Sequence, residues 1–192
     1  MIDAVTASRA VVAAVAAASL VLGVASCGEG APEPRRAPSS PATSSVATSP
    51  TTEPIPDMPE AALGHGESAA RAFVNYWLTV LNYSIESGDT TRLRSLSADR
   101  CKSCALIAQT IDDTYSAGGE MSGGLWEPRS VRPLPLDRGA DWAGYVTADI
   151  SSQTVADDNG KLTKYKAGPG YMYAYVADSP NGWRMVYLDI PV

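Results

Sequence analysis

Two cysteines in Cys101-Lys102-Ser103-Cys104 are the residues whose type and spacing most plainly allow chemistry. Thiols three positions apart can close a small disulfide. They can also cycle as a redox dithiol, since a helix amino terminus favours the thiolate. A third use is half of a zinc site, but a closed site takes four ligands and His65 is the only other soft one. His65 stands between Gly64 and Gly66 and reads as a solvated imidazole without the rigid platform a base needs. Asp112-Asp113 are neighbours, and neighbours in a helix point apart, so they do not form a unit. Asp157-Asp158 leads into Asn159-Gly160, which is turn chemistry. Asn82-Tyr83-Ser84 is an N-glycan sequon in form, placed inside a helical pattern. The sequence has no nucleophile elbow, Walker loop or dinucleotide fingerprint. The expectation is no catalytic residue, no metal and no cofactor.

The tyrosines are the other candidates. Tyr171, Tyr173 and Tyr175 share one face of a strand, with Trp183 and Tyr187 on the next. Aromatic walls carrying a few hydroxyls suit a small amphipathic ligand. The same residues also suit a plain core and a cross-strand ladder. Asp149 and Tyr145 share a strand face and form the best available acid–base pair.

Charge excludes one partner class. The chain has 192 residues and a formal net charge of -6, and no basic run stands out. Nucleic-acid binders need clustered cations to neutralise phosphates, so none is expected as a partner.

The amino terminus reads as an address. Residues 1–26 pair Arg9 and the terminal amine with an apolar run from Ala10 to Ala25, too short for a comfortable membrane span. Val24-Ala25-Ser26-Cys27 then resembles the bacterial lipobox. That resemblance implies diacylglycerol on the Cys27 thiol, cleavage before it, and a lipoprotein held at the outer face of the cell membrane. Each buried CH₂ of an acyl chain contributes about 0.8 kcal/mol, so several chains anchor firmly. In that oxidising compartment the two remaining cysteines, Cys101 and Cys104, are expected as a disulfide, structural or redox-active.

Residues 27–60 carry the lipid site and a linker of Pro, Ser, Thr, Ala and Glu, with only Val46, Ile55 and Met58 as larger apolar residues. So little apolar surface cannot offset the entropy of ordering, and the expectation is a disordered spacer. Its reach is roughly 30 Å as a coil and roughly 100 Å fully extended. Its Thr/Ser-Pro composition also fits a glycosylated segment.

The remainder, residues 61–192, reads as one α+β domain, helices first and a sheet after. Ala70, Phe73, Trp77, Val80 and Ser84 set a helical stripe from Glu67 to Ile85, closed by Gly88. Asp89 or Thr90 caps a short helix with Leu93 and Leu96. A third runs from near Cys101 to Ser116, with Leu106, Ile107, Ile111 and Tyr115 inward. Beyond Gly124 the period is two. Leu125–Leu134 is an edge strand because of Pro128 and Pro133. The next, Trp142 to Val155, turns at Asp158-Asn159-Gly160. A third passes Tyr165, breaks at Gly168-Pro169-Gly170 and resumes to Val176. In the last, Val186, Leu188 and Ile190 alternate with Met185, Tyr187 and Asp189.

A long aromatic helix, two short ones and a curved, mostly antiparallel four-stranded sheet resemble the nuclear-transport-factor-2-like, or cystatin-like cone, architecture. More narrowly, Ala70-Arg71-Ala72-Phe73-Val74-Asn75-Tyr76-Trp77, Leu81-Asn82-Tyr83, Gly88-Asp89-Thr90 and Leu93-Arg94-Ser95-Leu96-Ser97 with Cys101-Lys102-Ser103-Cys104 resemble an actinobacterial lipoprotein family of unknown function. The resemblance implies fold and location, without an activity. The expected function is a non-catalytic envelope module that binds a small ligand or an envelope protein. The alternatives are an isomerase or dehydratase using Asp149 and Tyr145 in a cone pocket, and a thiol–disulfide redox protein.

Overall fold

The apolar stripe of the first helix sets the architecture. The computed structural model describes residues 54–191. The expected signal sequence, Cys27 and most of the expected linker therefore lie outside the described residues. Gly66–Ser87 forms α1, with Ala70, Phe73, Val74, Trp77, Val80, Leu81 and Ser84 buried. Gly88 ends it in the left-handed region (φ 75), its N–H bonded to the Ser84 carbonyl. A Cβ at Gly88 would stand 2.6 Å from the Tyr115 ring, so glycine is needed for both conformation and space. Part of the composition-defined linker lies on this helix. The Tyr76 hydroxyl donates to the Pro56 carbonyl at 2.8 Å, and Met58 packs against the core.

Two shorter helices follow, α2 (Thr91–Ser95) and α3 (Lys102–Ser116). Of the two expected caps, the Asp89 carboxylate accepts the Thr91 N–H at 2.9 Å. Thr90 instead donates its hydroxyl to Asp112, 2.7 Å away. Leu106, expected inward, is 64% exposed. The buried stripe of α3 runs through Cys104, Ala108 and Ile111, and a residue two positions from Cys104 falls on the far side of a helix.

The strands are β1 (Glu120–Gly123), β2 (Trp126–Pro133), β3 (Trp142–Ile150), β4 (Gln153–Ala156), β5 (Leu162–Tyr165), β6 (Gly168–Ala177) and β7 (Arg184–Asp189). The expected four-stranded sheet is present, in the order β2-β3-β6-β7 and antiparallel throughout. The single-sheet expectation needs correction, because β1-β4-β5 form a second sheet of three strands. The chain leaves the larger sheet at Ser151-Ser152, so β3 stops at Ile150. There a Cβ on Gly123 would lie 2.0 Å from the Ser152 carbonyl oxygen, and only glycine lets β1 approach. The Asp158-Asn159-Gly160 turn joins β4 to β5 as expected.

Gly168-Pro169-Gly170 opens β6 rather than breaking a strand, pairing with Ile150, Asp149 and Ala148. β7 pairs only with Tyr173–Ala177, so at Pro169 the strand has a single neighbour and tolerates a missing N–H. The prolines of β2 are likewise accommodated at an edge, with a register shift between Pro128 and Ser130.

Val146, Ala148, Met172, Ala174, Val176 and Leu188 face the helical layer and are at most 2% exposed. Met185, expected outward, is fully buried. One step on β6, Tyr175 to Val176, spans two on β7, Tyr187 to Met185, so Val186 is the extra residue of a bulge. Beyond it Met185 turns inward, and its backbone bonds Leu96 (2.9 Å) and Ala98 (2.8 Å) in the α2–α3 connection.

Candidate functional site

Cys101 and Cys104 stand at disulfide distance, with sulfurs 2.01 Å and Cα atoms 5.3 Å apart. They are 0% and 1% exposed, where α3 leaves the preceding loop. The pair fixes the start of α3 and offers no surface to an attacking thiolate.

His65 is less free than its glycine neighbours suggest. Its Nδ1 pairs with the Asp178 carboxylate, and the Asp178 backbone N–H donates to the Asp141 carboxylate at 2.9 Å. Trp183, expected in the tyrosine ladder, is buried and donates its indole N–H to Gly64 at 2.8 Å. A shallow depression of about 450 Å³ joins these residues. The imidazole itself stays 84% exposed.

The tyrosines do not line the space between helix and sheet. Strand alternation buries their neighbours under α1 and turns Tyr145, Tyr171, Tyr173, Tyr175 and Tyr187 to the opposite, solvent-facing side. Tyr145 stacks on Tyr171 with ring centroids 6.1 Å apart, and Tyr175 meets Tyr187 edge-on at 5.5 Å. Two arginines lie over these rings, Arg132 at 5.6 Å from Tyr145 and Arg138 at 3.9 Å from Tyr187. Arg138 takes the left-handed conformation (φ 59) in the β2–β3 loop.

Asp149 lies on the same outer face. Its carboxylate is engaged by Arg129, whose guanidinium is held further above its usual value by that hydrogen bond and charge. The expected acid–base pair is therefore set in the open, with its acid member already partnered.

An open cleft of about 1150 Å³ lies where the start of β2, the end of β3 and the start of β6 converge. Trp126, Pro128, Ile150 and Pro169 give it apolar walls, and Arg129 with Asp149 gives it one charged side. A Cβ on Gly170 would fall 2.7 Å from Ile150 and 2.9 Å from the Trp126 ring, so glycine keeps this corner closed-packed.

Asn82 of α1 fixes the rim. Its side-chain amide donates to the Trp126 carbonyl (2.9 Å) and its oxygen accepts the Trp126 N–H (2.8 Å), mimicking a strand partner. Both halves of the amide are thereby engaged, and the sequon it begins is structural. Its sequence signal was slight, a polar residue next to Leu81 that lies beside the buried stripe and not on it. Arg129, Arg132, Arg138 and Asp178 carried no periodic signal, because long-range pairing alone brings them to their partners.

Fold and site together define a small α+β domain with a filled interior, an open cleft at one end of its sheet and an aromatic outer face. The chain belongs to the Family of unknown function DUF6318, whose model matches residues 40–187. Comparison with curated proteins found no sequence match. Among solved structures, the intermembrane space region of the chloroplast protein ARC6 is similar over 66% of this chain and 97% of that one, at 12% identity and a TM-score of 0.48. An NTF2-like protein with a cystatin-like fold from Novosphingobium aromaticivorans is similar over 63% and 80%, at 14% identity and a TM-score of 0.38. A cystatin-like protein from Caulobacter vibrioides gives 67% and 92%, at 10% and 0.40.

Proposed function

We propose that this protein is a lipid-anchored, extracytoplasmic binding module without catalysis, held to the membrane through Cys27. The anchor is supported by the apolar run that ends in Val24-Ala25-Ser26-Cys27. The observation that carries the non-catalytic reading is the placement of Asp149 and Tyr145. They sit on the solvent face, with Asp149 bound by Arg129, while Phe73, Trp77, Met172 and Leu188 fill the space a cone pocket would need. General acid–base work needs a desolvated, converging pair, and this one is neither. Thiol exchange needs an accessible sulfur, which Cys101 and Cys104 do not present. The open cleft and the tyrosine face remain as surfaces for an envelope protein or a small ligand.

Metabolic labelling with palmitate tests the anchor. The wild-type chain should carry label and begin at Cys27, and Cys27→Ser should carry none. An unlabelled wild-type chain of full precursor mass would overturn the anchor. Turnover of hydroxy or carbonyl compounds by the purified protein, lost in Asp149→Asn or Tyr145→Phe, would overturn the non-catalytic half.

A further inference from the structure

We infer that the β4–β5 hairpin is a membrane-contact element that docks on anionic phospholipid headgroups, an inference that rests on the lipid anchor at Cys27. Three of the chain's four lysines, Lys161, Lys164 and Lys166, fall within six residues. β5 is exposed along its whole length and is the outer strand of its sheet. Its two large apolar residues, Leu162 and Tyr165, are 55% and 56% exposed. None of the three lysines enters an ion pair among the described residues. Alternation along β5 puts Leu162 and Lys164 on one face and Thr163 and Tyr165 on the other, with Lys161 and Lys166 flanking the strand.

Charge is separated along the hairpin. At the turn, the Asp157 carboxylate accepts the N–H groups of Asn159 (3.0 Å) and Lys161 (2.8 Å), and Glu120 lies across from Ala156. At the opposite end, Tyr165 pairs with Gln153, and Gln153 with Gly123, all uncharged. The Lys164–Lys166 end is thus a cationic point on a molecule of net charge -6, complementary to an anionic surface. Lysines on an edge strand also block strand-to-strand aggregation. That role accounts for the charges but not for exposing a leucine and a tyrosine between them. A headgroup layer met by the free edge of β5, where both faces of the strand come within reach, accommodates all of them: lysines at the phosphates, with Leu162 and Tyr165 at the interface.

The tether makes weak contacts sufficient. Residues 28–53 separate Cys27 from the described domain, and a coil of that length reaches roughly 30 Å. A domain so tethered meets the bilayer at an effective concentration on the order of millimolar.

Lysine footprinting of the full chain tests this inference. The purified protein is incubated with phosphatidylcholine vesicles, with or without phosphatidylglycerol, and its amines are acetylated and read peptide by peptide. Lys164 and Lys166, at the cationic end, should be protected several-fold by phosphatidylglycerol only, with recovery in high salt, and Lys161, beside Asp157, should be protected less. The exposed Lys102 should be unchanged. Replacing Leu162 with Thr and Lys166 with Gln, both at exposed positions, should abolish protection of Lys164 without loss of fold. Equal labelling on both vesicle types would overturn the inference. Protection by soluble polyglutamate but not by vesicles would also overturn it, in favour of an acidic peptide partner. The mass of the Cys27 peptide in the same spectra reports acylation separately, so failure of the anchor and failure of the hairpin contact are distinguishable.

Discussion

Asp112 of α3 lies where α2 and α3 meet, and several influences act on its proton. Burial pushes its carboxyl upward. The Thr90 hydroxyl, the Arg94 guanidinium hydrogen bond and the Arg94 charge outweigh that and hold it below its ordinary 3.8. A carboxyl whose folded-state value lies below the unfolded one stabilises the fold above the unfolded value. That contribution is lost as pH falls through the folded one. Wild type should therefore exceed Asp112→Asn in urea stability at neutral pH, and the gap should narrow as pH falls below the ordinary carboxylate value and through the lowered one. A gap that persisted in acid would show that charge at Asp112 is not its source. From the sequence, Asp112-Asp113 were not expected to act as a unit, and the Asp112 carboxylate is engaged by Thr90 and Arg94. The sequence did not show Thr90 and Arg94 as partners, because they come from a different helix.

At the scale of elements, the junction into α3 combines two constraints. Cys101 and Cys104 close a very short loop, and the Tyr115 hydroxyl donates to the Ile85 carbonyl at 2.8 Å, joining the far end of α3 to the end of α1. Burial pushes the Tyr115 phenol upward, and the charges of Glu120 and Glu86 add to this against the opposing Met121 backbone bond. A loop this short yields only about 2 kcal/mol when crosslinked. The Cys101→Ser, Cys104→Ser variant should therefore lose that much or less and retain its far-ultraviolet circular dichroism. Loss of helical signal in this variant would show that the crosslink is what organises α3.

Over the whole molecule, Trp77 is the residue on which the layers converge. It is fully buried between α1 and the larger sheet, and its indole N–H donates to Ser97 in the α2–α3 connection at 3.2 Å. Trp77→Ala should cost about 3–5 kcal/mol, as large-to-small changes do in packed interiors. Urea unfolding followed by circular dichroism should remain one transition at lower denaturant. A cost below about 1 kcal/mol would mean that the interior relaxes to fill the space, contrary to the packing described.

The sequence by itself determined α1 and its end at Gly88, the Asp158-Asn159-Gly160 turn, the edge position of β2 and the inward face of β3. Each follows from a local cause: helical or strand period, a glycine at positive φ, or a proline without an N–H. Only the tertiary structure decided that β4 and β5 leave the larger sheet for a second one, since strand partners are chosen between residues distant in the chain. It also decided that the tyrosines face solvent. Alternation puts Tyr171, Tyr173 and Tyr175 on one side, but it cannot say which side α1 will cover. Met185 shows the same limit at a single residue, because a bulge at Val186 reverses its face and only pairing with β6 reveals the bulge.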